Sequence, residues 1–303
     1  MKLVAIFNRD GGTFKTTDMD AFCEHARTVF QNAGHEIECR LVSGKNIVEE
    51  MERTADDTGL DGLIAGGGDG TISAAAGIAW KHGIALGVVP AGTMNLFARS
   101  LRLPLDIWQA VDTLAEGHVH DVDIASANGR PFVHQFSAGL HARMVRYRDK
   151  MEYASRLGKI RANIRAAIGV VLKPPVFEVE FTVAGETQHR RVCAISASNN
   201  EFGPNPLLVA DDITQGRLGF YLADALTPSG VAGLAIDIAR GRLKENAAVT
   251  AMAVTEAELH FPKGRHDVKC VIDGELLPMK RDVLLKIHAG ELKVIVAKDY
   301  ANV

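Results

Sequence analysis

Residues 63–101 read LIAGGGDGTISAAAGIAWKHGIALGVVPAGTMNLFARSL, and this stretch decides the fold. The pattern predicts a buried strand over 63–65, a glycine-rich loop, and an alanine-rich helix over 72–81. A second strand over 84–89 then leads into a second loop, and a further helix opens at 94–97. Two such loops at the ends of neighbouring parallel strands face one crevice, where open α/β sheets bind ligands.

The first loop, residues 66–71, favours close contact with a phosphate group. Four glycines in five positions let the backbone turn sharply and approach a ligand. We predict that Thr71 or Ser73 caps the following helix, whose N-terminal N–H groups would bind phosphate. The loop has neither Walker nor GxGxxG spacing, so a plain tight turn is the alternative. Asp69 would repel phosphate unless a metal ion or a ligand hydroxyl offset its charge.

The composition is that of a globular protein with ample core. The 303 residues are 47% apolar and 23% charged, with a net charge of -3, which gives no argument for nucleic-acid binding. No apolar window is long enough to span a membrane, and the first residues do not resemble a signal peptide. Four scattered cysteines without CxxC spacing predict neither a disulfide framework nor a zinc site. We therefore expect a cytoplasmic protein, with contact at the inner face of the membrane left open.

Strands and helices alternate up to about residue 120, which predicts a three-layer α/β domain with a mostly parallel sheet. Its further elements are strands over 3–7 and 37–42 and helices over 18–33, 45–58 and 107–115. Beyond this point the pattern becomes β-rich. Strands are predicted over 131–138, 176–183, 191–196, 219–222, 257–261, 268–272, 283–288 and 292–297, and helices over 144–171 and 229–240.

The glycine-rich loop at 66–71 and PAGTMNLFAR at 90–99 together resemble the catalytic domain of the diacylglycerol kinase family. That family includes bacterial diacylglycerol kinase-like lipid kinases and the sphingosine and ceramide kinases; NAD kinases and phosphofructokinases are more distant relatives. The resemblance implies a nucleotide-binding domain over 1–125 and a β-sandwich lipid-substrate domain over 126–303, with the chain end, about 290–303, returning to the first domain. It also implies ATP, Mg²⁺ and a lipid acceptor: diacylglycerol, a ceramide or sphingoid base, or another polar lipid.

The resemblance further implies a nucleotide site built from three loops. The loop at residues 8–13, the third of them, lacks the proline that the family has there, and a plain loop is the alternative. The nucleotide-binding residues implied are Asn8, Gly12, Ser43, Gly67, Gly68, Asp69, Gly70, Thr71, Ile72, Ser73 and Thr93.

The motif Asp273-Gly274-Glu275 places two carboxylates around a glycine at the end of a predicted strand. Taken alone, it is as typical of an ordinary Asp-Gly β-turn. By resemblance, Glu275 takes the proton of the lipid hydroxyl, Asp273 is a supporting carboxylate or metal contact, and Asp69 is the third catalytic acid. A carboxylate with a suitable pKa can take that proton as the phosphoryl group is transferred.

Besides the missing proline, the chain departs from the family at three positions. Leu96 replaces an acidic residue of the phosphate and metal region, and Gln215 stands where relatives have an aspartate of a structural Mg²⁺ turn. By resemblance we predict Asp123 as a metal residue, and Asp212 as a neighbour that could substitute at that turn. His134 occupies a place where the family usually has asparagine, and we expect it to be a packed or hydrogen-bonded residue of the sandwich.

Residues 143–165 carry eight basic and two acidic side chains. A basic amphipathic helix can lie on an anionic membrane, although a solvated helix face is equally consistent with the pattern. Our first hypothesis is an ATP-dependent lipid kinase whose partners are ATP and a lipid at a membrane surface, with no nucleic acid. The alternatives are a nucleotide- or lipid-binding homologue with impaired catalysis and a soluble-substrate kinase such as an NAD kinase.

Overall fold

The computed structural model of the chain describes residues 1–149, 173–262 and 269–300, and one hydrogen-bonded sheet runs through both halves of it. The strands are β1 Lys2–Asn8, β2 Glu36–Val42, β3 Gly62–Gly67, β4 Ala85–Pro90, β5 His118–Ala127, β6 Arg130–Phe132, β7 Gln135–Gly139, β8 Phe177–Val183, β9 Glu186–Asn199, β10 Leu218–Asp224, β11 Val249–Val254, β12 Glu256–His260, β13 Lys269–Ile272, β14 Glu275–Pro278 and β15 Asp282–Val296. The helices are α1 Met19–Asn32, α2 Ile47–Ala55, α3 Asp69–His82, α4 Leu96–Ser100, α5 Ile107–Ala115, α6 Leu140–Asp149 and α7 Pro228–Ala239.

The N-terminal part is the predicted three-layer α/β domain. Strands β2, β1, β3 and β4 are parallel neighbours in that order. Strands β3 and β4 are buried along their whole length because helices cover both faces of the sheet. Phe7, Phe14 and Phe22 meet in the core with ring centroids 5.1–5.5 Å apart, so the first strand, the loop after it and α1 pack as one unit.

Helix α3 begins earlier than the sequence predicts. It starts at Asp69, and Gly68 is its N-cap, without a side-chain cap. Because one glycine is enough to turn the chain from strand to helix, Thr71 and Ser73 lie inside the first two turns. The prediction that one of them caps this helix is therefore wrong.

The second part of the chain is antiparallel and β-rich. Strand β9 pairs with β7, β8 and β10, while β13 pairs with β7, and β12 lies between β8 and β15. The core of this part contains Phe132, Phe136, Phe181 and Phe220. The strand predicted over 131–138 is two strands, β6 and β7. The two predicted strands over 283–288 and 292–297 are one long strand, β15, with an irregular register between His288 and Leu292.

Strand β15 connects the two parts of the molecule. It pairs antiparallel with β12 and β5, and near its end Val294 pairs parallel with Leu86 of β4. On the side of α3, the indole N–H of Trp80 donates to Glu291 at 2.9 Å, and the Trp80 ring lies 4.6 Å from the His288 ring. The last strand therefore extends the parallel sheet and holds the second part against α3.

One disulfide bond contradicts the expectation drawn from the cysteines. Cys23 of α1 and Cys39 of β2 are joined, with their Cα atoms 5.9 Å apart. Helix α1 packs on the strand that follows it, which brings these two residues within disulfide reach although they are 16 positions apart. Cys193 and Cys270 are free and buried, and burial raises the pKa of the Cys193 thiol to about 11.

The predicted basic helix over 144–171 is described only in part. Helix α6 covers its beginning, and residues 150–172 lie outside the described residues. Among the helices that the structure describes, none has the length and apolar character needed to cross a bilayer.

Candidate nucleotide and phosphoryl-transfer site

The two glycine-rich loops touch, as the sequence predicts. Gly67 at the end of β3 pairs with Pro90 at the end of β4, and the Ala91 N–H donates to the Gly67 carbonyl at 2.9 Å. A Cβ atom at Gly92 would lie 2.7 Å from the Gly68 Cα atom, closer than atoms can pack. Only glycine at position 92 allows the second loop to lie this close to the first.

Asp69 joins these loops. Its carboxylate accepts the N–H of Asn95 at 3.1 Å and the N–H of Leu96 at 2.6 Å, at the start of α4. Asn95 has a left-handed backbone with φ of 53°, and its own side chain closes a ring of hydrogen bonds with Gly92. The negative charge of Asp69 is thus directed at backbone donors of the neighbouring loop, and in this structure the carboxylate organises the loops.

The third loop completes the same edge of the sheet. Gly12 has φ of 37°, and a Cβ atom there would lie 1.7 Å from the Ala91 carbonyl oxygen, so any side chain would displace the PAGT loop. A Cβ atom at Gly44, which follows Ser43, would lie 3.2 Å from Asn8 Oδ1. The structure therefore brings Asn8, Gly12 and Ser43 to the same edge as the two glycine-rich loops.

The predicted phosphate-binding residues at the start of α3 divide into two groups. Gly70 faces open space, and Thr71 packs over Gly67, where a Cβ atom would lie 2.7 Å from the threonine Cβ. By contrast, the Ile72 side chain is in the core and its N–H donates to the Gly68 carbonyl at 3.1 Å. The first group remains available to a ligand, as does Thr93, which is exposed.

Asp273 ties the two parts of the molecule together at this edge. Its carboxylate accepts the backbone N–H groups of Val133, His134 and Gln135 at 2.9, 3.0 and 2.9 Å. The same carboxylate accepts the Ser73 hydroxyl of α3 at 2.7 Å. These four bonds explain why β6 and β7 are separate strands, since residues 133–135 turn around the carboxylate. They also commit Ser73 to Asp273 rather than to a phosphate.

Residues 2–127 match the family of the diacylglycerol kinase catalytic domain. The match covers the α/β part of the chain and ends with β5. It is 32% identical over 182 residues to a diacylglycerol kinase of Staphylococcus saprophyticus, a match that covers 59% of this chain and 57% of that protein. It is 31% identical over 218 residues to the diacylglycerol kinase of Staphylococcus aureus strain JH9, covering 71% of this chain and 64% of that protein.

A solved structure gives the same fold over nearly the whole chain. A candidate diacylglycerol kinase of Bacillus anthracis strain Sterne superimposes with a TM-score of 0.76 and 20% identity, covering 97% of this chain and 95% of that one. At this identity the likeness concerns the fold. The sequence matches span less than two thirds of the length of the curated relatives, between 35% and 64% of each.

Glu275 is the more accessible acid of the Asp-Gly-Glu motif. Its side chain is 61% exposed, and Oε2 lies 2.6 Å from Nη2 of Arg130, which is itself half-exposed. An ion pair in such an exposed place contributes about 0–1 kcal/mol to stability, so it can open for a ligand. Sequence reasoning missed Arg130 because nothing in the pattern brings β6 next to the motif.

The predicted metal residues Asp123 and Asp212 hold loops of the second part of the chain. Asp123 is 1% exposed, and its two oxygens accept the N–H groups of Gly216 at 2.6 Å and Gly290 at 2.9 Å. Burial raises the pKa of Asp123, and the two N–H groups oppose that rise. Asp212 Oδ1 accepts both the N–H and the hydroxyl of Thr214 at 2.8 Å.

These contacts do not fit a magnesium site formed by the protein alone. Within residues 1–149, 173–262 and 269–300, no group of three or more His, Cys, Asp or Glu side chains is arranged to hold a metal ion. The oxygens of Asp69, Asp123 and Asp273 already accept N–H groups. Mg²⁺ commonly keeps several waters and binds substrate phosphates, which requires few protein ligands. The metal role of Asp123 and Asp212 stays a prediction.

His134 lies nearer the site than its sequence position suggests. The residue is partly exposed, and its ring centroid is 5.9 Å from that of Phe202. Burial lowers the pKa of the His134 imidazole, while the charges of Asp273 and Asp69 oppose that shift. The two carboxylates therefore act on the ring through their charge. The replacement of the family's asparagine by histidine was the one sequence signal for it.

Proposed function

We propose that the protein is an ATP-dependent lipid kinase, which transfers the γ-phosphoryl group of ATP to the hydroxyl of diacylglycerol, a ceramide or sphingoid base, or a similar polar lipid. The observation that carries the proposal is the linkage at Asp273. Its carboxylate binds Ser73 of the helix behind the glycine-rich loop and also the backbone at 133–135 of the second part of the chain. The nucleotide loops and the acceptor side therefore share one edge, as phosphoryl transfer requires.

The proposed nucleotide site uses the backbone and small side chains of the three loops. The N-terminus of α3, with Gly68, Gly70 and Thr71, would receive the phosphates, because the helix dipole and open N–H groups favour anions. Asn8, Gly12, Ser43 and Thr93 would contact the rest of the nucleotide. Mg²⁺ bound to ATP would neutralise phosphate charge. Within the described residues, no group of carboxylates is arranged to bind the ion without the nucleotide.

The acceptor side is formed by the loops of the second part of the chain. The lipid hydroxyl loses its proton, its oxygen bonds to the γ-phosphorus, and the bond from that phosphorus to ADP breaks. The resemblance assigns the proton to Glu275, whose exposure supports access by a substrate. Asp273 acts as a positioning residue, because its carboxylate is engaged by four donors.

We also propose that the enzyme is cytoplasmic and works at the inner face of the membrane. Its support is the eight basic side chains among residues 143–165, a segment that lies largely outside the described residues. Sedimentation with vesicles of neutral and of anionic phospholipid measures this directly. Binding that is stronger to anionic vesicles and weakens with salt is expected.

The function is tested by phosphate transfer from labelled ATP to a mixed bacterial lipid extract in detergent micelles with Mg²⁺. We expect one class of labelled lipid from the wild type, whose mass identifies the acceptor, and little from Asp69→Asn, which loses a loop-joining oxygen. Asp112→Asn is the matched control, because Asp112 pairs with His25 on the surface. ATP binding without any labelled lipid would favour the non-enzymatic binding protein. Labelling of NAD instead would favour a soluble-substrate kinase.

A further inference from the structure

One sheet face in the second part of the chain is polar, whereas the opposite face of the same strands is core. Phe136 of β7 and Ala197 of β9 are paired, and both belong to the phenylalanine-rich core. Their neighbours along each strand point the other way, because side chains alternate. The side chains on that other face are Gln135 and Ser137 of β7 and Ser196 and Ser198 of β9. Polar side chains on a largely buried face need hydrogen-bond partners.

Two of these side chains have well-defined partners. Ser137 Oγ lies 2.6 Å from Nδ1 of His141 in α6. The Ser196 hydroxyl donates to Gln135 Oε1 at 2.8 Å, closer than its 3.3 Å contact with the Phe136 carbonyl. This bond fixes the amide of Gln135, since Oε1 serves as the acceptor and Nε2 is left as the donor.

Nε2 of Gln135 is left without a partner. Within the described residues this nitrogen makes no hydrogen bond, although Gln135 is only 9% exposed. In the described parts of the chain, the fully enclosed side-chain atoms that lack a partner are Asn199 Oδ1 and Asn200 Nδ2, so Nε2 of Gln135 remains within reach of solvent. This donor favours a ligand that brings an acceptor, because a donor enclosed without an acceptor costs free energy.

The backbone of Gln135 is bonded to the Asp-Gly-Glu motif. Its N–H donates to Asp273 Oδ1 at 2.9 Å, and its carbonyl accepts the Asp273 N–H at 3.0 Å. Glu275 pairs with Ile272 across the tight turn that contains Asp273. The same Asp273 carboxylate accepts the hydroxyl of Ser73 in α3 at 2.7 Å. Gln135 is therefore a direct neighbour of the motif on the acceptor side of the proposed site.

Apolar and aromatic side chains border the polar row. On one side, Ala142 of α6 packs with Val271 of β13. On the other side, Tyr221 of β10 is paired with Ser196 and stacks on Phe202, with ring centroids 5.1 Å apart. A single free amide donor among apolar side chains fits the region of a lipid where acyl chains join the polar backbone, because ligand sites combine apolar surroundings with a few orienting polar groups.

We propose that Gln135 selects the acceptor lipid, by donating from Nε2 to the carbonyl oxygen of an acyl group next to the lipid hydroxyl. The inference rests on the proposed function and narrows its substrate class. Diacylglycerol has an ester carbonyl and ceramide an amide carbonyl at the same number of bonds from the carbon that bears the primary hydroxyl. A sphingoid base has an ammonium group in that region, which an amide N–H cannot bind. The enzyme should therefore prefer acylated lipids to sphingoid bases.

The sharpest test changes only the carbonyl groups of the lipid. Dioleoylglycerol and its dioleyl ether analogue have matched chains and the same hydroxyl, but the ether lacks both carbonyls. Phosphate transfer from ATP to each lipid, in detergent micelles with Mg²⁺, gives a kcat/KM for both. We expect the wild type to favour the ester about tenfold, which corresponds to one hydrogen bond of about 1.4 kcal/mol. Gln135→Leu should remove this preference.

Other variants separate the contact from the fold. Gln188→Leu is the matched control, because Gln188 is exposed at the other end of β9, and it should keep the wild-type preference. Ser196→Ala removes the hydroxyl that holds Oε1, so the preference for the ester should fall. Gln135→Glu replaces the donor by a carboxylate and should favour sphinganine over ceramide. Gln135→Met is the second variant if Gln135→Leu is less stable to urea.

The outcomes distinguish this inference from the proposed function. A wild type that phosphorylates no lipid would overturn the proposed function. A wild type that phosphorylates the ester and the ether equally, or a Gln135→Leu variant that keeps the wild-type preference, would overturn only the role of Gln135. Faster phosphorylation of sphinganine than of ceramide by the wild type would overturn that role as well.

Discussion

Removing the Asp273 carboxylate should lower the free energy of unfolding, because this one side chain accepts four hydrogen bonds. In Asp273→Gly, three backbone N–H groups and the Ser73 hydroxyl lose their acceptor. A hydrogen bond to a charged group contributes about 1.5–3 kcal/mol, and water replaces part of this at a half-buried site, so we expect a loss of about 3 kcal/mol.

The backbone at this position separates two causes of the loss. Asp273 has φ of 44°, a left-handed conformation that costs alanine about 1–2 kcal/mol more than glycine. Asp273→Ala should therefore be about 1 kcal/mol less stable than Asp273→Gly. Asp273→Asn tolerates the conformation and keeps one acceptor oxygen, so we expect a loss of about 2 kcal/mol.

The assay is urea denaturation followed by circular dichroism and by tryptophan fluorescence. Trp80 reports on the contact between α3 and β15, since its indole N–H bonds Glu291 across that contact. Hydrogen exchange at residues 133–135 should quicken most in Asp273→Gly and Asp273→Ala, because those amides lose their acceptor, and less in Asp273→Asn, which keeps one oxygen. A free energy of unfolding for Asp273→Gly within about 1 kcal/mol of the wild type, with exchange unchanged, would show that the carboxylate does not hold this loop.

Three further predictions concern separate parts of the chain. Gly12→Ala should weaken ATP binding at least tenfold in titration calorimetry, because its Cβ atom would overlap the Ala91 carbonyl. The control is Gly70→Ala, whose Cβ atom would meet nothing within 4 Å; it should fold normally and lose less ATP affinity. Burial raises the pKa of Asp123, so the stability that its protonated form contributes is present at low pH and is lost as the pH rises through that pKa. Asp123→Asn should therefore flatten the urea-derived stability profile above pH 4, and an unchanged slope would refute this. Reduction of the disulfide, or Cys23→Ser, should cost about 3 kcal/mol in the same urea assay, since it closes a loop of 16 residues.

The sequence predicted those features that depend on neighbouring residues. The apolar runs of β3 and β4 and the glycines after them are local, so the parallel sheet and the pair of touching loops followed from the pattern. The helix over 107–115 was also predicted with its observed ends. In the structure Asp106, the residue before it, is a local N-cap that accepts the N–H groups of Trp108 and Gln109.

Features made by distant residues were not predictable from one sequence. Asp273 meets Ser73 across 200 positions, and no periodicity indicates that contact. The division of β6 from β7 follows from the same carboxylate, so it was missed for the same reason. The link between Cys23 and Cys39 depends on how tightly α1 packs on β2, which spacing alone does not give.

The hydrogen bonds distinguish the acids of the two motifs that hold loops from the acid that a substrate can reach. A carboxylate whose oxygens accept several N–H groups is held in place, which suits positioning better than proton transfer. Asp69 and Asp273 both have this environment, one on each side of the cleft. The acid with accessible lone pairs is Glu275, which pairs with Arg130 at the surface. The proton role that the resemblance gives to Glu275 therefore requires its contact with the Arg130 guanidinium to open during turnover.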